Sequence, residues 1–246
     1  MKEGRQASAN FDVISYKNRY GDLRNAYGSN LPMYYMHYIK YGKRENRVAT
    51  PGSTPAASTT VNTTTPTTSS NLTPIMGTSK TNVAQMVRYF NANAPYPAYY
   101  KNSDAPTIQA FCQIYYEEAA AEGVRAEVAF AQAMKETGFL RFGGSVSITQ
   151  YNFAGLGATG NGVSGNGFGS VRNGVRAQIQ HLKAYGSTAP LNKTCVDVRF
   201  QYVKRGTCPC VENLGINEDP VGIGWATAKN YGYSVVNDYM NKLLTK

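Results

Sequence analysis

Apolar residues recur at helical spacing through most of the chain after residue 79. Ile108, Phe111, Cys112, Tyr115 and Ala119 form one stripe, the spacing of a helix that buries a single face. Ser103 or Asp104 is expected to cap this helix, with Pro106 in its first turn and Gly123 at its end. Val83–Asn91 predicts a helix before it. Residues 125–137 predict a third helix closed by Gly138, and residues 174–185 a fourth. Eight glycines between Gly155 and Gly174 break the pattern too often for regular structure. Residues 143–150 leave room for a short hairpin. Residues 79–246 are therefore expected to form one compact, mainly helical domain with a glycine-rich, active-site-like loop.

A second, shorter pattern lies near the start. Phe11, Val13, Ile14 and Tyr16, then Leu23 and Tyr27, then Met33, Tyr34, Met36, Tyr38 and Ile39 fit two or three short amphipathic helices broken at Gly21 and Gly28. Glu3-Gly4-Arg5 is echoed 42 positions later by Glu45-Asn46-Arg47. The echo suggests an internal repeat, with the chain starting at the tail of a preceding copy. Residues 1–47 are thus read as a small Tyr-rich repeat module. Between the two parts, residues 48–78 carry no charge and are packed with Thr, Ser, Pro and Ala. Such a composition cannot bury enough apolar surface to offset its ordering entropy, so a flexible linker is expected, with a reach of roughly 30 Å.

Charge alters the picture of partners. The 246 residues carry a formal net charge of +10, shared as +5 on the first module and +5 on the later domain. The basic residues make no stripe or recognition helix, which argues against nucleic acid; anionic polymers and peptide carboxylates of a cell wall explain the charge more simply. No apolar run approaches the ~18–20 residues that span a bilayer, so no membrane insertion is expected, and Met1-Lys2-Glu3 does not open a signal peptide. Nineteen tyrosines and 24 glycines beside only 16% charged residues suit a surface that meets sugars or other polar polymers. Four cysteines and two histidines make no credible metal set, and no cofactor is expected. A disulfide, if formed, joins Cys195 to Cys208 or Cys210; free thiols are the equal alternative.

The chemistry concentrates in Ala131-Gln132-Ala133-Met134-Lys135-Glu136-Thr137-Gly138-Phe139. Glu136 falls in the last turn of its helix, near the negative end of the macrodipole, with Met134, Phe139, Leu140 and Phe142 close in sequence. Desolvation and the dipole both disfavour the carboxylate and raise its pKa, as a general acid working near neutral pH requires.

This segment, followed by Tyr151-Asn152-Phe153-Ala154-Gly155-Leu156-Gly157-Ala158 and then by residues 174–185, resembles the glucosaminidase family (glycoside hydrolase family 73) of bacterial peptidoglycan hydrolases and autolysins. Asp197-Val198-Arg199-Phe200, Val203-Lys204-Arg205-Gly206 and Gly224-Trp225-Ala226-Thr227 extend the resemblance over the rest of the domain. It implies a lysozyme-like fold of mainly α, α+β character. It also implies an endo-β-N-acetylglucosaminidase that cuts the β-1,4 bond after N-acetylglucosamine, with Glu136 as catalytic acid. Tyr151, Asn152 and Phe153 would line the cleft, Tyr185 would approach from the later helix, and the amides of Gln132 and Gln150 would meet sugar hydroxyls. Such an enzyme acts on glycan strands outside the cell, in the wall, as a secreted or phage-borne monomer.

A second acidic group is the difficulty, because glycosidases usually pair two carboxylates and no Asp or Glu stands between Glu136 and Asp197. The substrate's 2-acetamido group could act as nucleophile, the reading favoured here. Alternatively Asp197, Glu212, Glu218 or Asp219 could fold back as a base, or Glu136 could act alone in a lytic transglycosylation. A catalytically silent wall-binding protein is the remaining rival. Gly155-Leu156-Gly157-Ala158-Thr159-Gly160 matches a dinucleotide pattern, but no strand precedes it and no helix can open after it. His181, with no companion at ligand or triad spacing, and the lone Trp225 are read as structural.

Overall fold

The computed structural model describes residues 11–43, 45, 47–50, 72–158, 164–219 and 222–246. They fall into two compact units, one made of the described residues before 72 together with Gly222 and the other of the described residues in 72–219 and 223–246.

The first unit holds three short helices, α1 (Val13–Arg19), α2 (Gly21–Tyr27) and α3 (Leu31–His37), the last widening into an i→i+5 turn over Tyr38–Gly42. The Asp12 side chain caps α1 by accepting from Ser15 N at 2.6 Å. Phe11, Tyr16, Leu23 and Tyr34 are buried together, and the Tyr16 hydroxyl meets His37 Nδ1 at 2.9 Å. Gly21 opens α2 rather than ending a helix; Gly28, in a positive-φ conformation, closes it. Residues 48–50, expected as linker, fold back onto this unit: Asp12 N donates to Ala49 O at 2.7 Å and Arg19 to Val48 O at 2.6 Å.

The second unit is mainly helical. Its long elements are α4 (Val83–Asn91), α5 (Ile108–Glu122), α6 (Ala126–Thr137) and α7 (Val171–Gly186). The C-terminal segment starts as α8 (Tyr231–Ser234), loosens into an i→i+5 turn over Val235–Met240 and finishes as α9 (Asn241–Leu244). The helix α6 is the centre of the unit, with Ala126 to Met134 buried without interruption. Its alanines, spread around the axis, let α5, α7 and the C-terminal segment approach from different sides.

Two expectations about these elements change. The cap of α5 is Thr107, whose side chain accepts from Ala110 N at 3.2 Å. Asp104 instead reaches 67 residues along the chain to the start of α7, accepting from Val171 N and Arg172 N at 2.9 Å each. Those amides are orphaned by helix geometry and sit at the positive end of the dipole, so a carboxylate is a strong partner for them. No hairpin forms near 143–150: Ser147 caps a single 3₁₀ turn, Ile148–Gln150, through a capping box closed by Gln150. Isolated bridges, Pro74 with Cys210, Met76 with Val124 and Gly215 with Ala226, are the extended pairing among the described residues.

The other end of the expected linker is also structured. Ile75 is buried, its N donating to Pro209 O and its carbonyl accepting from Arg125 N, both at 3.0 Å. Thr73 N donates to both carboxylate oxygens of Glu212, and Lys80 N to both of Glu127. Residues 72–78 are therefore the first layer of the helical unit; residues 51–71, the rest of the expected linker, lie outside the described residues, as do 1–10, which hold the first half of the suggested repeat. All four cysteines are free thiols. Burial pushes Cys208 and Cys210 up to about 12, which keeps both protonated and unreactive.

Candidate active site

Glu136 is the penultimate residue of α6. The helix stops there because Gly138 takes a left-handed conformation (φ 57°) and returns its N–H to the last turn. Phe139, Leu140 and Phe142 follow with φ between 57° and 61°, a strained run for bulky residues. Thr137 holds it in place: its hydroxyl donates to Ala133 O and accepts from Leu140 N, and its carbonyl accepts from Phe142 N.

This abrupt reversal opens a cleft of about 300 Å³ beside Glu136, walled by Phe142, Ser145, Val146, Gly155 and Ala158. The Glu136 side chain stays exposed to solvent while protein atoms crowd around its carboxyl. Burial raises its pKa, opposed by a hydrogen bond from Tyr231 and by the Lys135 ammonium. Tyr231, at the head of α8, donates its hydroxyl to Glu136 Oε1. The other oxygen, Oε2, faces Gly155, where an added β-carbon would lie 3.8 Å away. Gly155 has φ +66°, so both its conformation and its closeness to the acid favour glycine.

The remaining sequence-predicted residues take varied places. Asn152 is buried and holds the glycine loop with every polar valence: Nδ2 donates to Leu156 O at 2.8 Å and Asn166 O at 3.0 Å, and Oδ1 accepts from Leu156 N and Ala154 N. Gln150 is spent on the Ser147 cap and on Gly165 O. Phe153 is wholly buried, edge-on to Phe111 at 5.1 Å. Tyr151 is half-buried beside Tyr99 and Tyr100, with φ +52°. Tyr185 packs against His181 and Trp225, and Gln132 is fully buried. Glu136 and Asn152 thus border the cleft, whereas Gln132 and Phe153 are buried in the interior and Gln150, Tyr151 and Tyr185 are not part of its lining.

Sequence reasoning missed Tyr231, favouring Tyr185 as the approaching tyrosine. A usable signal was Gly232 beside it: an added β-carbon there would lie 2.0 Å from Val211 O, so the glycine lets the head of α8 press onto the 211–214 turn. Sequence reasoning also missed a partner for His181, whose Nδ1 lies 2.7 Å from Asp197 Oδ2. The pair is buried, and Trp225 stands perpendicular to the imidazole at 4.8 Å.

The four carboxylates that could have folded back each accept hydrogen bonds of their own. Asp197 holds His181 and Arg199 N, Glu212 holds Thr73 N, Glu218 accepts from Asn230 N, and Asp219 accepts from Ile223 N. The groups that shift Glu136 are Tyr231 and Lys135; neither is a carboxylate.

A carboxylic acid at the end of a buried helix, beside a cleft lined in part by glycines in a mainly helical, lysozyme-like domain, is the arrangement that the proton donor of a glycosidase requires. The chain belongs to the glucosaminidase family, corresponding to glycoside hydrolase family 73: the family described as "Mannosyl-glycoprotein endo-beta-N-acetylglucosaminidase" matches residues 112–245. A relative from Borreliella burgdorferi, described as "Uncharacterized protein", is 39% identical over 141 residues, covering 57% of this chain and 66% of the relative. No solved structure matches significantly. Membership supports peptidoglycan hydrolysis in general terms.

Proposed function

We propose that this protein is an endo-β-N-acetylglucosaminidase that cuts the β-1,4 bond after N-acetylglucosamine in peptidoglycan, with Glu136 as proton donor. The observation that carries the reading is the Glu136 carboxyl itself, raised in pKa by burial, facing a cleft, with Tyr231 and Lys135 as its charged or hydrogen-bonding company. Glu136 gives its proton to the glycosidic oxygen as the bond to C1 breaks. The carbonyl oxygen of the substrate's own 2-acetamido group closes on C1, forming an oxazolinium ring and releasing the new hydroxyl end. The Glu136 carboxylate then takes a proton from a water that opens the ring at C1, so the acid is restored and the configuration retained. Engagement of the other acids in holding loops favours this route over a paired-carboxylate one.

The basic module at residues 11–50 would hold the enzyme on anionic wall polymers outside the cell while residues 51–71 tether the catalytic unit, raising its effective concentration on nearby strands. Deleting residues 1–71 should weaken binding to isolated walls and leave turnover of soluble glycan fragments unchanged; equal wall binding by both forms refutes this part.

The test of the catalytic reading is mass spectrometry of peptidoglycan digested by the wild type and by Glu136→Gln. Reducing N-acetylglucosamine ends from the wild type alone support it. Products one water lighter identify a lytic transglycosylase. No cleavage by either protein, with glycan still bound, leaves a wall-binding protein.

A further inference from the structure

A chain of buried hydrogen bonds runs from Tyr115 in the core of the unit to Glu136. The Tyr115 hydroxyl of α5 donates to Gln178 Oε1 at 2.7 Å, and Gln178 Nε2 of α7 donates to Gln132 Oε1 at 2.9 Å. Gln132 Nε2 of α6 donates to the Tyr231 oxygen at 3.1 Å, and Tyr231 donates to Glu136 Oε1. Tyr115, Gln178 and Gln132 are fully buried and Tyr231 is 4% exposed.

Every donor in the series points the same way, and one atom explains why. Gln178 Nε2 also donates to the Ala129 carbonyl at 2.8 Å, and a backbone carbonyl accepts only. That contact fixes which end of the Gln178 amide is nitrogen, and so makes its oxygen the acceptor for Tyr115. The Gln132 amide must then present oxygen to Gln178 and nitrogen to Tyr231. With a lone pair of its oxygen filled by Gln132, the Tyr231 hydroxyl has Glu136 Oε1 as the acceptor for its single hydrogen.

We propose that Gln132 and Gln178 are positioning residues that lock Tyr231 as a permanent donor to Glu136 Oε1, and so assign the transferable proton to Oε2, the oxygen facing Gly155 and the cleft. The function rests on the hydrolase reading above, but the structural effect on Glu136 does not. The chain also polarises the Tyr231 hydroxyl, since aligned hydrogen bonds strengthen one another in a low-dielectric interior. It thereby steadies the carboxylate left after proton donation, against the burial that disfavours it. The other groups facing Glu136 are Lys135 on its own helix and Tyr239 on the C-terminal segment; the glycine loop at 152–158 and the wall at 142–150 contribute no charge.

The experiment follows the ¹³C carboxyl signal of Glu136 through a pH titration in the full chain, assigned by its loss in Glu136→Gln, alongside the pH profile of kcat. Gln132→Met, close in shape but unable to donate, should raise the Glu136 midpoint in the same direction as Tyr231→Phe. The alkaline limb of kcat should move up with it, and kcat should fall about tenfold. In Tyr231→Phe the added Gln132→Met should change the midpoint no further, because the donor it orients is already gone. Tyr115→Phe, the loss of one oxygen at the outer end, should move the midpoint the same way by less. A folded Gln132→Met that lowers kcat with the midpoint unmoved overturns the proposal, as does an equal shift in the presence and absence of Tyr231. If the wild type cleaves no glycan while the midpoint still answers to Gln132, the hydrolase reading fails and the positioning role of the chain stands.

Discussion

The hydroxyl of Tyr231 hydrogen-bonds Oε1 of Glu136 across 95 positions of sequence, so the acid at the end of α6 is completed by the last helical segment of the chain. One carboxyl oxygen is held by Tyr231 and the other faces Gly155 and the cleft. The pH behaviour expected under the proposed function follows from that division.

A general acid works only while protonated. Burial raises the Glu136 pKa, so it keeps its proton further up the pH scale than an ordinary glutamate. With the 2-acetamido group as nucleophile, no second carboxylate has to be ionised. The kcat/KM profile should therefore be one-sided, falling by a slope of one as pH rises through the Glu136 value and staying level on the acid side until unfolding. A bell with an acidic limb, measured on a soluble glycan fragment, would point to a paired carboxylate.

Asn152 spends four hydrogen bonds on the loop that carries Gly155 to the acid. Asn152→Ala strands buried backbone groups, each costing about 1–3 kcal/mol. Stability should fall by about 3 kcal/mol in urea melts. A loop displaced by about 1 Å should lower kcat/KM by about 100-fold. Gln150→Ala, which releases only the Ser147 cap and Gly165 O, should cost less on both measures.

Asp104 caps α7 from a distance. Asp104→Ala should cost about 1–2 kcal/mol of unfolding free energy at neutral pH, whereas Ser103→Ala, at the other residue expected to cap α5, should leave α5 intact. Equal costs at both positions would contradict the cross-chain cap.

Lys183 and Glu122 form a buried ion pair at 2.8 Å, with Asn192 N and Lys193 N also on the carboxylate. Lys183→Met leaves Glu122 buried without its cation and should cost about 3 kcal/mol. Burial raises the Glu122 pKa, but the bonds from Asn192, Lys183 and Lys193 outweigh it and hold it below the ordinary value. Its contribution is therefore present above the unfolded value and lost as pH falls through the folded one. Melting temperature in the wild type should drop in that acid range, and the drop should be shallower in Lys183→Met.

Much of the helical unit was legible because the signals are local. The stripe from Ile108 to Ala119 and the stops at Gly123 and Gly138 depend on neighbours three or four residues away, and α4 and α6 lie within a residue of where they were expected. The hairpin failed because Ser147 and Gln150 close a capping box that competes with extended pairing. The apparent linker ends failed because composition reports what a segment could bury alone. Arg19 and Asp12 supply the partners for the backbone at Val48 and Ala49, and Glu212 supplies the partner at Thr73.

By itself the sequence determined the helices, the glycine-rich loop and the acid at the end of α6, since periodicity, capping and the chemistry of a desolvated carboxyl are carried by adjacent residues. Only the tertiary structure decided that Tyr231 completes the site, that Gln132 and Phe153 lie behind it, that Asn152 holds the loop, and that Asp197 belongs to His181. Side chains far apart in sequence meet only when packing brings their helices together, and a buried donor or acceptor then binds whichever partner that packing presents.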